Sequence, residues 1–328
     1  MSTGNGTVAA PPEVVPQGWG SHKIVTGLAR SGLKALYYGP PGGGKTSFVA
    51  SMPKPILIDY DKGANQVGID RIPGPKTWTE VLGLVRAMVA NPRGYQTFGI
   101  DTLDPLEEIA TAHVCKVGGK KSLGDFGYGD GHDALKAEWR LLLSALEAAG
   151  ENGIHIALLC HSVVRQTSDP QLGPYEVFGT ALQKKTWALT HRWCDLVGFI
   201  THEAERVKAE KRAIHTGQRV LLTTSGTGYI AKERFALPRV MPIPLGRGWV
   251  TLDAAIQRFY DNIKPEDLIA RIRATAKGTP FEVPAEAFIV DAHGDMRRLL
   301  QVEDALKEKL AETAREAAEA VKDGTATP

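Results

Sequence analysis

An α/β fold with a mainly parallel central sheet flanked by helices is what this sequence predicts, on three observations. Short apolar runs alternate with segments of helical period through residue 200. A glycine-rich stretch, Gly39-Pro40-Pro41-Gly42-Gly43-Gly44-Lys45-Thr46-Ser47, joins an apolar run to a helical one. Several of the apolar runs end in Asp or His, at the edge where parallel sheets place their ligands.

The first strand is Leu33 to Tyr38, and the glycine-rich stretch that follows fits G-x-x-x-x-G-K-[ST], the phosphate-binding P-loop. Its glycines let the backbone curl so that successive N–H groups face one anion. Lys45 supplies a cation for β- and γ-phosphates, and Thr46 a hydroxyl for Mg²⁺. The helix that opens at Ser47 and stops before Pro53 adds an N-terminus that favours negative charge. Ile56 to Ile58 reads as a strand covered on both faces, followed by two acids, Asp59 and Asp61. Thr77-Trp78-Thr79-Glu80 is a capping box that starts a helix ending at Asn91-Pro92. Thr97 to Ile100 is the next strand. It ends at Asp101, about 60 residues after the P-loop, which is the Walker B pattern and makes Asp101 a ligand of Mg²⁺. Asp104-Pro105 then reads as the cap of a further helix.

Residues 116–131 are glycine-rich and carry Lys116, Lys120 and Lys121 with Phe126 and Tyr128. Lysines meet phosphates and rings stack on bases, which suits single-stranded nucleic acid. The same content also suits a surface loop whose aromatics tuck into the body. An amphipathic helix through Leu135, Trp139, Leu142 and Leu146 follows, then a strand from Ile154 to Cys160 that ends at His161, where a side chain can sense a γ-phosphate. Residues 163–178, with Arg165 and Tyr175, show neither period and read as a second long loop. A helix is expected over Thr180 to Arg192 and a strand over Asp195 to Ile200. A hairpin or extended turn is expected over 202–218, with antiparallel strands at Arg219 to Thr224 and Gly228 to Ala231. Lys232 and Arg234 lie two apart, on one face if extended. Pro265 to Ala274 reads as a helix that closes the body, and Asp295 to Val321 as an exposed or partner-packing helix.

Bulk properties bound the function. The 328 residues suffice for one large domain or two small ones, and 43% hydrophobic with 23% charged residues is ordinary for a globular chain. A net charge of +2 excludes a global basic field, so any nucleic-acid site must be a local patch. Cys115, Cys160 and Cys194 form no C-x-x-C, which argues against a disulfide framework or zinc knuckle and for a reducing cytoplasm. No run of 18 apolar residues predicts a membrane span, and the N-terminus lacks a signal-peptide pattern. The expected organisation is a flexible arm over 1–20, an ATPase domain over 21–280, and an accessory helix with a frayed tail over 281–328.

Across roughly residues 30–240 the order of these motifs resembles the RecA-like recombinase superfamily, and most of all its small phage ATPases of single-strand annealing and recombination. The resemblance implies ATP with Mg²⁺, a homo-oligomeric filament or ring in the host cytoplasm, and single-stranded DNA as partner. A single-strand-binding or replication protein is a further candidate partner. It puts Asp61 of IDYDKG where the family has its water-activating Glu, with Asp59 as the competing choice. His161 stands where the family often has a Gln that couples γ-phosphate to DNA loops, and 116–131 and 163–178 fall where those loops lie. Lys232 and Arg234 are similar to a cation pair that completes a neighbouring subunit's site. The implied function is a DNA-dependent ATPase. A helicase- or packaging-type motor, a P-loop small-molecule kinase and a non-hydrolysing ATP-dependent scaffold are the alternatives.

Overall fold

The computed structural model describes residues 31–169, 173–207, 212–226, 228–260 and 265–292, together with 298–299, 302–303, 305–310, 312–313 and 315. The arm expected over 1–20 and the tail after 321 lie outside them. In chain order the elements are β1 (Lys34–Gly39), α1 (Lys45–Ala50), β2 (Pro55–Asp59), β3 (Asp70–Pro73), α2 (Trp78–Ala90), β4 (Thr97–Asp101), α3 (Leu103–Val117) and α4 (Asp130–Glu151). Then follow β5 (His155–Asp169), β6 (Gly173–Thr180), α5 (Lys184–Trp193), β7 (Leu196–Val207), β8 (Arg212–Leu222), β9 (Val240–Pro242), α6 (Gly248–Tyr260), α7 (Pro265–Ala276) and α8 (Glu282–Ala292).

The strands order as β3-β2-β4-β5-β1-β7-β8-β9. From β3 to β7 every pairing is parallel, and β8 and β9 add antiparallel at one edge. This mainly parallel sheet, with helices on both faces and antiparallel strands at one edge, is the α/β arrangement that the sequence predicts. The apolar runs are unbroken because alternate residues enter two different cores. Leu36, Tyr38, Ile56, Ile58, Ile156 and Leu158 face α2 to α5, while Ala35, Tyr37, Leu57, Ala157 and Leu159 face α1 and α6. Each fully buried Leu or Ile contributes about 1.5–3 kcal/mol of burial free energy. On the first face Trp78 and Trp139 stack at 6.2 Å. The Trp139 indole N–H donates to Thr190 Oγ1, which ties α4 to α5. The capping box of α2 is present, with Thr77 and Glu80 bonded reciprocally. A third apolar cluster gathers α7, α8, Leu299 and Leu306 against Ala236.

Three expectations are corrected. Residues 163–178 are not a loop: β5 runs on past the parallel sheet and pairs with β6 from Ser162↔Thr180 to Asp169↔Gly173. Val163, Val164 and Phe178 are exposed on this hairpin and only Val177, Gly179 and Thr180 near its base are buried, so no sustained apolar face marks it in sequence. The helix expected from Thr180 therefore begins only at Lys184. Gly228 to Ala231 forms isolated bridges, such as Phe178↔Tyr229, and not a strand. The segment 202–218 is a hairpin in its described part, β7 pairing with β8 from Phe199↔Leu222 to Val207↔Arg212.

Candidate active site

The P-loop leaves the C-terminal end of β1 and is seated on β7. A Cβ added to Gly39 would lie 2.1 Å from the Ile200 carbonyl oxygen, so only glycine fits there. Gly42 and Gly44 have φ of 75° and 99°, the left-handed region in which glycine is unstrained. Helix α1 has six residues, so the dipole contribution expected from sequence is small, and the loop's own N–H groups and Lys45 set the anion preference. Lys45 is buried. Its Nζ donates to the carbonyls of Gly39 at 3.0 Å and Pro40 at 3.1 Å, which holds the ammonium across the loop. Two of its three protons are used, leaving one for a bound anion. Burial lowers the Lys45 pKa, and the Asp101 carboxylate is the largest influence opposing that shift.

Asp101, at the end of β4, is also buried, and accepts the Thr46 hydroxyl proton at 2.7 Å. Burial raises its pKa, the Thr46 bond works the other way, and Asp61 and Asp59 add to the rise. Two hard oxygen donors from different elements thus converge among three acids, a donor set suited to a small divalent cation. Mg²⁺ keeps several waters and takes one or two protein ligands. Among the described residues no cluster of three His, Cys, Asp or Glu is disposed to hold a metal. The pair fits that partial shell, so Thr46 and Asp101 are the residues that would hold Mg²⁺.

The two acids after β2 do different things. Asp59 is buried and spent on its own turn. Its Oδ1 accepts the Lys62 N–H at 2.8 Å, and Arg71 Nε lies 3.8 Å from Oδ2. Asp61 is partly open. Its Oδ2 accepts the Thr102 hydroxyl at 3.2 Å and lies 3.5 Å from His161 Nε2. On its other side His161 is held by Asp104, whose Oδ2 accepts both the His161 backbone N–H and ring Nδ1–H at 3.1 Å. Asp104 does not cap α3 as its sequence position suggests. Thr102 is the N-cap residue, and the Asp104 carboxylate turns to the end of the parallel part of β5. Sequence reading missed Asp104 in this role. Its place three residues after Asp101 was the available signal.

Lys232 and Arg234 do not reach this chain's P-loop. Lys232 Nζ donates to the carbonyls of His191, Arg192 and Cys194 at 2.7–3.1 Å, closing the C-terminus of α5. Arg234 pairs with Asp195 at 3.1 Å. Lys232 pairs through its backbone with Val197, near the start of β7, whereas the P-loop leaves the opposite end of the sheet.

The residues proposed for nucleic acid are divided. Lys116, Lys120, Lys121 and Tyr128 are exposed. Phe126 is half-buried and packs against Gly118 and Gly131, where an added Cβ would come within 2.4 Å and 2.8 Å of its ring. The segment 116–131 is thus mostly compact, with short 3₁₀ turns at Leu123–Asp125 and Gly127–Gly129. Arg165 donates to the Thr180 and Leu182 carbonyls and so braces the base of the β5–β6 hairpin, and Tyr175 is half-buried opposite Thr167.

Residues 31–235 match a family described as an AAA domain. No curated protein matches the chain. Among solved structures the chain is similar to the RadB recombinase, with 15% identity, covering 67% of this chain and 90% of that one at a TM-score of 0.36. No described helix is long and apolar enough to cross a membrane.

Proposed function

The chain belongs to the AAA domain family, and on that premise we propose that it is a Mg²⁺-dependent ATP hydrolase that binds single-stranded DNA and acts in recombination or annealing as a homo-oligomer. The observation that carries the reading is the convergence of Asp61 and His161, 3.5 Å apart, beside Lys45 and the Thr46–Asp101 pair. In this mechanism the P-loop N–H groups and the remaining Lys45 proton hold the β- and γ-phosphates. Asp61 orients the attacking water and accepts its hydrogen bond, while His161 fixes the far side. The water oxygen bonds to the γ-phosphorus as the bond to the ADP oxygen breaks. Mg²⁺, held by Thr46 and Asp101, would supply charge neutralisation of the phosphate oxygens. Most of the rate then comes from fixed electrostatics at the transferring group.

Support for the DNA half is positional. His161 is the last residue of β5 paired with β1, and the β5–β6 hairpin begins one residue later. A shift of His161 on γ-phosphate loss would therefore be passed directly to the hairpin. The exposed ring of Tyr128 and the partly exposed Phe178, whose other face stacks on Phe199, offer surfaces to bases, and Lys116, Lys120 and Lys121 offer charge to a single strand.

The test is steady-state phosphate release with and without single-stranded DNA. Stimulation by DNA and its loss in Lys45→Ala are expected, whereas a Lys45→Ala protein with normal turnover sinks the assignment. ATP binding without turnover would favour the scaffold alternative. Phosphate transfer to a nucleoside or nucleotide would favour the kinase, and unwinding of a tailed duplex the motor.

A further inference from the structure

Arg219 lies where β8 passes the P-loop, paired with His202 of β7 and accepting the Ile243 N–H at its carbonyl. Its side chain rests on Gly44. A methyl group added there would come within 2.8 Å of Arg219 Cδ and 2.9 Å of Nε. The Nε–H is buried and has no acceptor among the described residues. A buried donor left without a partner costs about 1–3 kcal/mol, and a guanidinium is matched to phosphate oxygens. Beside it opens a narrow cleft lined by Gly44, Ser47, Phe48 and Pro244. Arg219 thus lies against the P-loop at Gly44, next in sequence to Lys45, and an anion held there would satisfy the orphaned donor.

We propose that Arg219 is a second, same-chain cation for the polyphosphate of the bound nucleotide, acting on the Ser47 side of the loop while Lys45 acts on the β- and γ-phosphates. Ser47 and Arg219 line the same crevice beside Gly44, which places them on one side of the loop. This rests on the nucleotide reading above, and it deepens that reading by assigning the groups that grip the phosphate nearest the nucleoside. Because that phosphate is common to ADP and ATP, both ligands should depend on Arg219 to the same degree.

The experiment is calorimetric titration of ADP and of ATP into wild type, Arg219→Ala, Arg219→Gln and Lys45→Ala, with thermal unfolding of each ligand-free protein alongside. Arg219→Ala is expected to weaken ADP and ATP alike by about ten- to a hundredfold. Arg219→Gln, which keeps length and polarity without charge, decides the matter if Arg219→Ala does not fold. Wild-type affinity for both nucleotides in a folded, neutral variant at 219 overturns the proposal, provided Lys45→Ala has lost binding. Failure of the wild type to bind either nucleotide overturns the nucleotide reading itself.

Discussion

Asp104 holds His161 at two points, the backbone N–H and ring Nδ1, both 3.1 Å from the same carboxylate oxygen. A carboxylate only accepts, so Nδ1 carries the proton and Nε2 is turned towards Asp61. On the proposed reading Asp104 touches no reacting atom itself and acts by aiming the His161 ring. Asp104→Ala is therefore expected to lower kcat about ten- to a hundredfold with little change in KM for ATP. Steady-state kinetics check this, and a fall in KM-limited binding with kcat preserved would contradict it.

The three carbonyls on Lys232 Nζ make it a cap for α5, and burial is the main cause of its lowered pKa, with Arg234 second. Lys232→Met is expected to cost about 1–3 kcal/mol of stability, through carbonyls left without their donor at a helix end. Thermal and urea unfolding measure it. A variant of unchanged stability that loses ATP turnover only on assembly would instead restore the role in a neighbouring subunit's site.

What was legible in the sequence was local. Gly39 to Ser47, Asp101 and His161 each announce themselves by residue type at a strand end, and the sheet's buried runs are visible because both faces are covered. Relations set by pairing were not legible. Asp104 meets His161 across 57 residues, and Arg219 meets Gly44 only because β8 pairs with β7 in one register. The β5–β6 hairpin hid because it buries little on either face. α8 hid because Val283, Phe288 and Val290 stay exposed and blur any stripe.

Glu107 links α3 to α5. Both its carboxylate oxygens accept the Gln183 N–H at 3.1 Å, and it also accepts the Thr186 hydroxyl. Burial raises its pKa against the opposing pull of Thr186. A raised folded pKa means that the native state holds the proton more tightly than the unfolded chain. The linked stability is complete below the ordinary glutamate pKa and is lost as pH rises through the folded value. Glu107→Gln removes that titration. Wild type should therefore lose stability relative to Glu107→Gln across this window, by at most about 1.4 kcal/mol per pH unit. Denaturant unfolding at a series of pH values reads the difference, and parallel curves would show that Glu107 does not titrate there.

Thr46 and Asp101 are bonded to each other at 2.7 Å and project from different elements, so they form one unit of the site rather than two additive parts. Thr46→Val removes the hydroxyl at nearly constant volume, and Asp101→Asn removes the charge at constant shape. Each is expected to lower ATP turnover about a hundredfold or more, since on the proposed reading the two oxygens would hold the cation whose charge neutralises the phosphates. The double variant should be little worse than the worse single one, because groups that act together lose their effect together. Both single variants should also need more Mg²⁺ for half-maximal turnover, while ADP binding without metal is unchanged. A double variant whose losses multiply would separate the two residues and leave only one of them in the cation's shell.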